Sequence, residues 1–159
     1  MYRIGLGSDI HPFKDGDKIY LGGLEIEHSK ALEGHSDADV VLHALADALL
    51  GASGLDDIGS YFPANEINRG RSSSEILVEV CHMIWDRGYT VVNTDIVIMA
   101  EETKIAPHRE AMREAIARLL NVDKHQVGIK ATTCEKLGSI GRSEGIFAQA
   151  VVLLKKIRE

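Results

Sequence analysis

Cysteine is almost missing from this chain of 159 residues, which holds only Cys81 and Cys134. The two lie far apart and match no CxxC pattern, so reduced thiols in a cytoplasmic setting are expected. Aromatic residues make up 5% of the sequence, which leaves the core to aliphatic side chains. No apolar run approaches the ~20 residues that a helix needs to cross a bilayer. The opening "MYRIGLGSD" reads directly as a strand. It lacks the charged lead and apolar core of a signal peptide. Positive charge is also short, with 18 Lys and Arg against 24 Asp and Glu, for a net charge of −6. That balance argues against gripping long nucleic acid, whose binding rests on phosphate neutralisation. A small phosphorylated ligand stays compatible if metal ions or a local donor cluster supply the positive charge. Neither a P-loop G-x-x-x-x-G-K-[ST] nor a Rossmann G-x-G-x-x-G occurs. Repeats, low-complexity tracts and linkers are absent too.

What is present fits one domain, residues 1–159, with 45% apolar residues to build a core. Alternation predicts strands over 2–10 and 89–100, and further strands over 126–135 and 146–156. Residues 19–26 read as two short strand pieces broken by Gly22 and Gly23, a hairpin. Helical spacing predicts helices over 38–50, over 72–88 with a serine cap and Gly88 as the stop, and over 106–120 with Pro107 near its start. The order gives an α/β (α+β) chain. It is a two-layer fold with a single mixed sheet and helices on one face. The other sheet face is left apolar, so a homo-oligomer is expected to cover it.

"GSDIHPF" at 7–13 sets Asp9 and His11 two apart on a strand, pointing the same way. Read alone, the pair is better explained by an ordinary strand end, with the Asp capping a turn and the His half exposed. In "HSDADVVLHALADALLGA", 35–52, the polar residues of an otherwise apolar helix are Asp39, His43 and Asp47, at i, i+4 and i+8. That stripe either faces water or is buried and needs partners. In the second case His43 joins Asp9 and His11 in an open three-ligand site of the catalytic zinc type, and Asp47 orients His43 from behind. Ser36-x-x-Asp39 resembles a capping box, and a helix start with His35 ahead of it also suits a phosphate. "GLDDIG", 54–59, carries Asp56 and Asp57 on a tight loop that can bind hydroxyl groups or simply face water. "KATTCEKLGSIGRSEG", 130–145, brings Thr132, Thr133 and Glu135 to a strand end beside Lys130, Lys136 and Arg142. Hydroxyls and a glutamate there suit phosphate and magnesium. Cys134 reads as a small apolar filler. His28, His82, His108 and His125 show no comparable setting.

Together, "SDIHPF", "GHSDADVVLHALADALLGASGLDDIG", "YFP", "APH" and "KATTCEKLGSIGRSEG" resemble the 2-C-methyl-D-erythritol 2,4-cyclodiphosphate synthase family, in order and along essentially the whole chain. The resemblance implies a lyase of non-mevalonate isoprenoid biosynthesis. Its substrate is 4-diphosphocytidyl-2-C-methyl-D-erythritol 2-phosphate. The 2-phosphate attacks the β-phosphorus, CMP leaves, and a cyclic diphosphate remains. It also implies a homotrimer with sites between subunits. Asp9, His11 and His43 match zinc ligands, and Glu135 matches the residue for magnesium or manganese. His35 and Thr133 match positions that stabilise the transition state. Ser36 matches a phosphate contact, and Asp57, Ile58 and Gly59 match the loop around methylerythritol. Ala100, Lys104 and Ala106 in "AEETKIA", with Thr132, match the cytidine diphosphate cradle. Arg142 matches a basic residue near the trimer axis.

Three departures stand out. "FPANE" at 62–66 stands where the family often has F-P-D-T-D, so Ala64 and Asn65 lack its acids, Thr103 replaces a proline before Lys104, and Ser139 replaces an aromatic found in some members beside Arg142. The residues alone leave two alternatives open. One is a metal-dependent phosphohydrolase using water. The other is a nucleotide-binding module that keeps zinc for stability.

Overall fold

The computed structural model describes residues 1–157. Seven strands form: β1 (Tyr2–Lys14), β2 (Lys18–Leu21), β3 (Leu24–Glu27), β4 (Ala31–Leu32), β5 (Tyr89–Met99), β6 (Val127–Thr132) and β7 (Gly145–Lys156). The helices are α1 (Val40–Ser53), α2 (Ile58–Tyr61), α3 (Ser73–Asp86), α4 (Arg109–Leu120) and α5 (Gly138–Gly141). Five strands make one sheet in the order β4-β1-β7-β5-β6. Among the described residues only β5 and β6 pair in parallel, so the sheet is mixed as expected. β2 and β3 form a separate hairpin turning at Gly22 and Gly23, whose φ values of 62° and 82° favour glycine.

Helices cover one face. Along β7 the inward set Ile146, Ala148, Ala150, Val152 and Leu154 is buried, whereas Val151 on the other face is exposed. The same period of two runs along β1. Tyr2, Ile4, Leu6 and Ile10 are exposed, and Gly5, Gly7, Asp9 and His11 face the helical layer. The glycines explain how closely α1 lies on β1. A Cβ on Gly5 would stand 2.0 Å from the Ala48 carbonyl oxygen, and one on Gly7 would stand 1.9 Å from that of Ala44. Small residues on both elements therefore bring the helix backbone onto the strand and carry His43, one residue before Ala44, to the level of Asp9.

Several sequence expectations shift. β1 continues to Lys14, because residues out to Pro12 still pair with β7. Asp9 and His11 thus sit within a strand and not at its end. Helix α1 starts at Val40 with Asp39 as its cap, so the box from Ser36 does not form. Residues 106–108 are a 3-10 turn ahead of α4, and β6 ends at Thr132, which leaves Thr133, Cys134 and Glu135 in a loop. The serine cap of α3 is Ser72, in a capping box with Glu75. Among the described residues, no helix is long and apolar enough to cross a membrane.

Candidate active site

The strand β1 and the helix α1 bring Asp9, His11 and His43 together. His11 Nε2 lies 2.9 Å from Asp9 Oδ2. His43 Nδ1 lies 3.2 Å from both Asp9 Oδ2 and His11 Nε2. A tetrahedral zinc ion with bonds near 2.05 Å needs ligand atoms about 3.3 Å apart, so the triangle fits such an ion closely. The outward nitrogens support it. His11 Nδ1 donates to the Glu33 carbonyl oxygen at 2.7 Å, which leaves Nε2 as the inward donor.

Charges within the cluster are coupled. Burial pushes the Asp9 carboxyl up, but hydrogen bonds and charge from His11 and His43 outweigh it and hold it at about 2, below its ordinary 3.8. The hydrogen bond with Asp9 raises His11 above its ordinary 6.5, against the opposing effect of burial.

A cavity of about 600 Å³ opens beside the cluster. His11 and His43 line it, with His35, Ser36, Ile58 and Gly59. Asp57 lies at its margin in sequence as the cap of α2, accepting from Ser60 N–H at 2.9 Å. Phe62 of the "YFP" stretch also lines the cavity, as do Asn68, Arg69 and Ile76, which sequence reasoning did not single out.

Two expected roles change. Asp39 is buried and serves neither metal nor phosphate. Its carboxylate accepts from Leu42 N–H in α1 and from Gly22 and Gly23 N–H in the hairpin, at 2.8 to 3.0 Å. Burial raises its pKa, and those three donors work against the rise. The helix start is thereby already capped by a side-chain carboxyl group, and His35 and Ser36 lie in the cavity wall. Asp47 does not hydrogen-bond the His43 ring. It accepts from Ile58 N–H at 2.7 Å and so fixes the 57–59 loop. The neighbour of His43 Nε2 is Ser73 Oγ at 2.8 Å, a residue that looked like one of a run of cap serines.

The second group of expected residues lies elsewhere on the same chain. Glu101 accepts from Cys134 N–H and Lys136 N–H, both at 3.2 Å, and ties the 100–106 segment to the 132–136 loop. Ala100 N–H also donates to the Thr132 carbonyl oxygen at 3.1 Å. Thr132, Thr133 and Glu135 are exposed there, as is Lys104. Glu135 has a φ of 51°, a left-handed backbone rare for a non-glycine residue. Pairing places Ile10, Phe147, Met99 and Thr132 in one row across the sheet. Three strand spacings, about 14 Å, therefore separate this loop from the Asp9 cluster. Arg142 is exposed and paired with Glu144. His28, which carried no signal in the sequence, hydrogen-bonds Thr103 Oγ1 at 3.0 Å and stacks on Phe13. Thr103, in place of a proline, is thus tied down by its hydroxyl.

The sequence model of the YgbB family matches residues 2–155. The chain belongs to the YgbB family. A Synechococcus elongatus protein named 2-C-methyl-D-erythritol 2,4-cyclodiphosphate synthase is 52% identical to this YgbB-family chain over 154 residues, 96% of each. Bifunctional IspDF from Campylobacter jejuni shares its fold with a TM-score of 0.94 and 38% identity. That match covers 98% of the YgbB-family chain and 42% of the larger protein. IspF from Plasmodium falciparum, solved as a CDP complex, matches with a TM-score of 0.87 and 36% identity over 99% of this chain and 97% of its own.

Proposed function

We propose that this chain, as one catalytic domain over residues 1–159, is a cytoplasmic 2-C-methyl-D-erythritol 2,4-cyclodiphosphate synthase. It converts 4-diphosphocytidyl-2-C-methyl-D-erythritol 2-phosphate to the cyclic diphosphate and CMP, a step of non-mevalonate isoprenoid biosynthesis. The observation that carries this reading is the convergence of Asp9, His11 and His43 on one point at the wall of an open cavity, in a chain about half identical to proteins of that name.

A phosphate monoester is largely dianionic near neutral pH, since its second pKa is near ~6. The attacking 2-phosphate therefore needs alignment and charge neutralisation more than a strong base. Asp9, His11 and His43 hold zinc, and Glu135 holds magnesium or manganese. Bound there, these ions supply Lewis-acid neutralisation of the phosphates. His35 donates toward the charge that builds on the reacting phosphate, and Ser36 hydrogen-bonds the same group. Thr133 supports the leaving CMP phosphate from the loop after β6. Asp57 and the backbone of Ile58 and Gly59 grip the methylerythritol hydroxyls. Asp47 holds that loop in place through Ile58 N–H. Ala100, Lys104, Ala106 and Thr132 receive the cytidine diphosphate portion.

The two residue groups stand about 14 Å apart along one sheet row, a separation that suits sites assembled between copies. The apolar outer face of β1, with Tyr2, Ile4, Leu6 and Ile10 all more than half exposed, supplies the contact. Three copies packed on these faces give a homotrimer.

Phosphorus NMR of the protein with the cytidyl substrate, zinc and magnesium tests the reading. The expected result is a cyclic diphosphate with one CMP per turnover. Linear phosphate products would replace the synthase with a hydrolase, and an unchanged spectrum from zinc-loaded protein would replace it with a binding module.

A further inference from the structure

The two ring nitrogens of His43 meet different neighbours. Nδ1 faces Asp9 and His11, and Nε2 lies 2.8 Å from the hydroxyl of Ser73, the first residue of α3. That hydroxyl has one proton, and it is donated to Asp37 Oδ1 in a short hydrogen bond. Asp37 is held in turn, accepting from Ser73 N–H at 3.0 Å and from Asp39 N–H at 3.2 Å. With its proton already directed at a carboxylate, Ser73 Oγ meets His43 only as an acceptor. Nε2 must then carry a ring proton, so in the neutral ring that binds a metal Nδ1 keeps its lone pair toward Asp9 and His11.

We infer that Ser73, backed by Asp37, is a positioning residue for His43: it fixes the tautomer and the ring plane that make Nδ1 a metal donor. The inference rests on the metal reading above. The Ser73 hydroxyl is not needed to cap the helix, because Ser72 and Glu75 already form the capping box of α3. Ser73 is also 1% exposed, so its hydroxyl serves an interior partner and not solvent. For His11 the same task falls to a backbone carbonyl, that of Glu33. A side chain performs it for His43, so a single substitution can remove it. Hydrogen bonds of this kind, one shell behind a metal ligand, typically change metal affinity 10- to 100-fold when lost.

The test compares wild type, Ser73→Ala and Ser73→Thr, with His43→Ala as the control. Zinc affinity is read by competition with a chromophoric chelator. The ring proton is read by long-range proton–nitrogen NMR of the zinc-loaded protein. Ser73→Ala is expected to weaken zinc binding about 10- to 100-fold and to lose the slowly exchanging Nε2 proton of His43. Its metal-free form should melt within a few degrees of wild type, since the cap remains. Ser73→Thr keeps a hydroxyl and is expected to restore both signals. Wild-type zinc affinity in Ser73→Ala overturns the inference. So does equal weakening by alanine and threonine, which assigns the effect to packing. A wild-type protein that takes up no zinc, or a His43→Ala protein that binds it as tightly, overturns the metal reading itself, and is seen before any Ser73 variant is compared.

Discussion

His11 Nε2 and His43 Nδ1 stand 3.2 Å apart, each directed at the other and at the Asp9 carboxylate. The outer nitrogen of each ring has its own partner, the Glu33 carbonyl for His11 and the Ser73 hydroxyl for His43. Three acceptors at this spacing repel one another unless a cation lies among them. A proton relieves part of that repulsion, and a divalent metal relieves all of it.

Removing one acceptor separates a catalytic cation from a structural one. His43→Ala is expected to lower turnover by more than about 100-fold and to retain its far-UV circular dichroism. His43 is partly exposed at the edge of the core, while Leu42, Leu45, Leu49 and Leu50 keep α1 in place. A variant that turned over normally would take the metal out of the mechanism. One that unfolded would make the metal structural.

The close approach of α1 to β1 predicts opposite effects for two glycines. Gly7→Ala places a Cβ 1.9 Å from the Ala44 carbonyl oxygen, a clash with backbone that no rotamer relieves. It is expected to destabilise by about 3 kcal/mol or more in urea denaturation and to weaken zinc binding, because α1 carries His43. Gly51→Ala, on the same helix with nothing within 4 Å of the new Cβ, is expected to stabilise by about 0.5–1 kcal/mol.

Asp39 joins α1 to the β2–β3 hairpin through three backbone donors. Asp39→Ala leaves those N–H groups without their acceptor in a buried place. A loss of about 2–4 kcal/mol is expected, read from thermal or urea unfolding. A near-neutral Asp39→Ala would contradict the assignment.

The cluster also sets a pH dependence for the metal-free protein. Asp9 is held at about 2, so its contribution is complete above the ordinary 3.8 and is lost as pH falls toward 2. His11 is raised, so its contribution is complete below the ordinary 6.5 and is lost as pH rises through the raised value. Zinc needs the His11 Nε2 lone pair, so uptake displaces the proton that Asp9 favours there and affinity climbs with pH. Urea midpoints of metal-free protein from about pH 5 to about pH 9 should fall on the alkaline side, and added zinc should reverse the trend. Midpoints flat with pH would contradict the coupling.

The parts legible in the sequence were those with a period or a local motif. Alternation located β1, β5 and β7, and apolar spacing located α1 and α3. The strand pair and the helix stripe offered the Asp9, His11 and His43 cluster as one of two readings, and the family resemblance chose it. What stayed hidden depended on contacts between distant elements. Asp39 and Asp47 look equivalent on the helix stripe, yet one caps α1 and pins a hairpin, and the other holds Ile58. Ser73 is indistinguishable by type from Ser72 and Ser74, and only the approach of α3 to His43 sets it apart. His28 lies far in sequence from Thr103, so their hydrogen bond left no local trace.

The most direct test of the account is anomalous diffraction at the zinc edge from crystals grown with zinc. The account predicts one peak per chain within bonding distance of Asp9 Oδ2, His11 Nε2 and His43 Nδ1, about 2.0–2.2 Å from each. A density map with no peak among those three atoms, or with its only peak elsewhere, would contradict it.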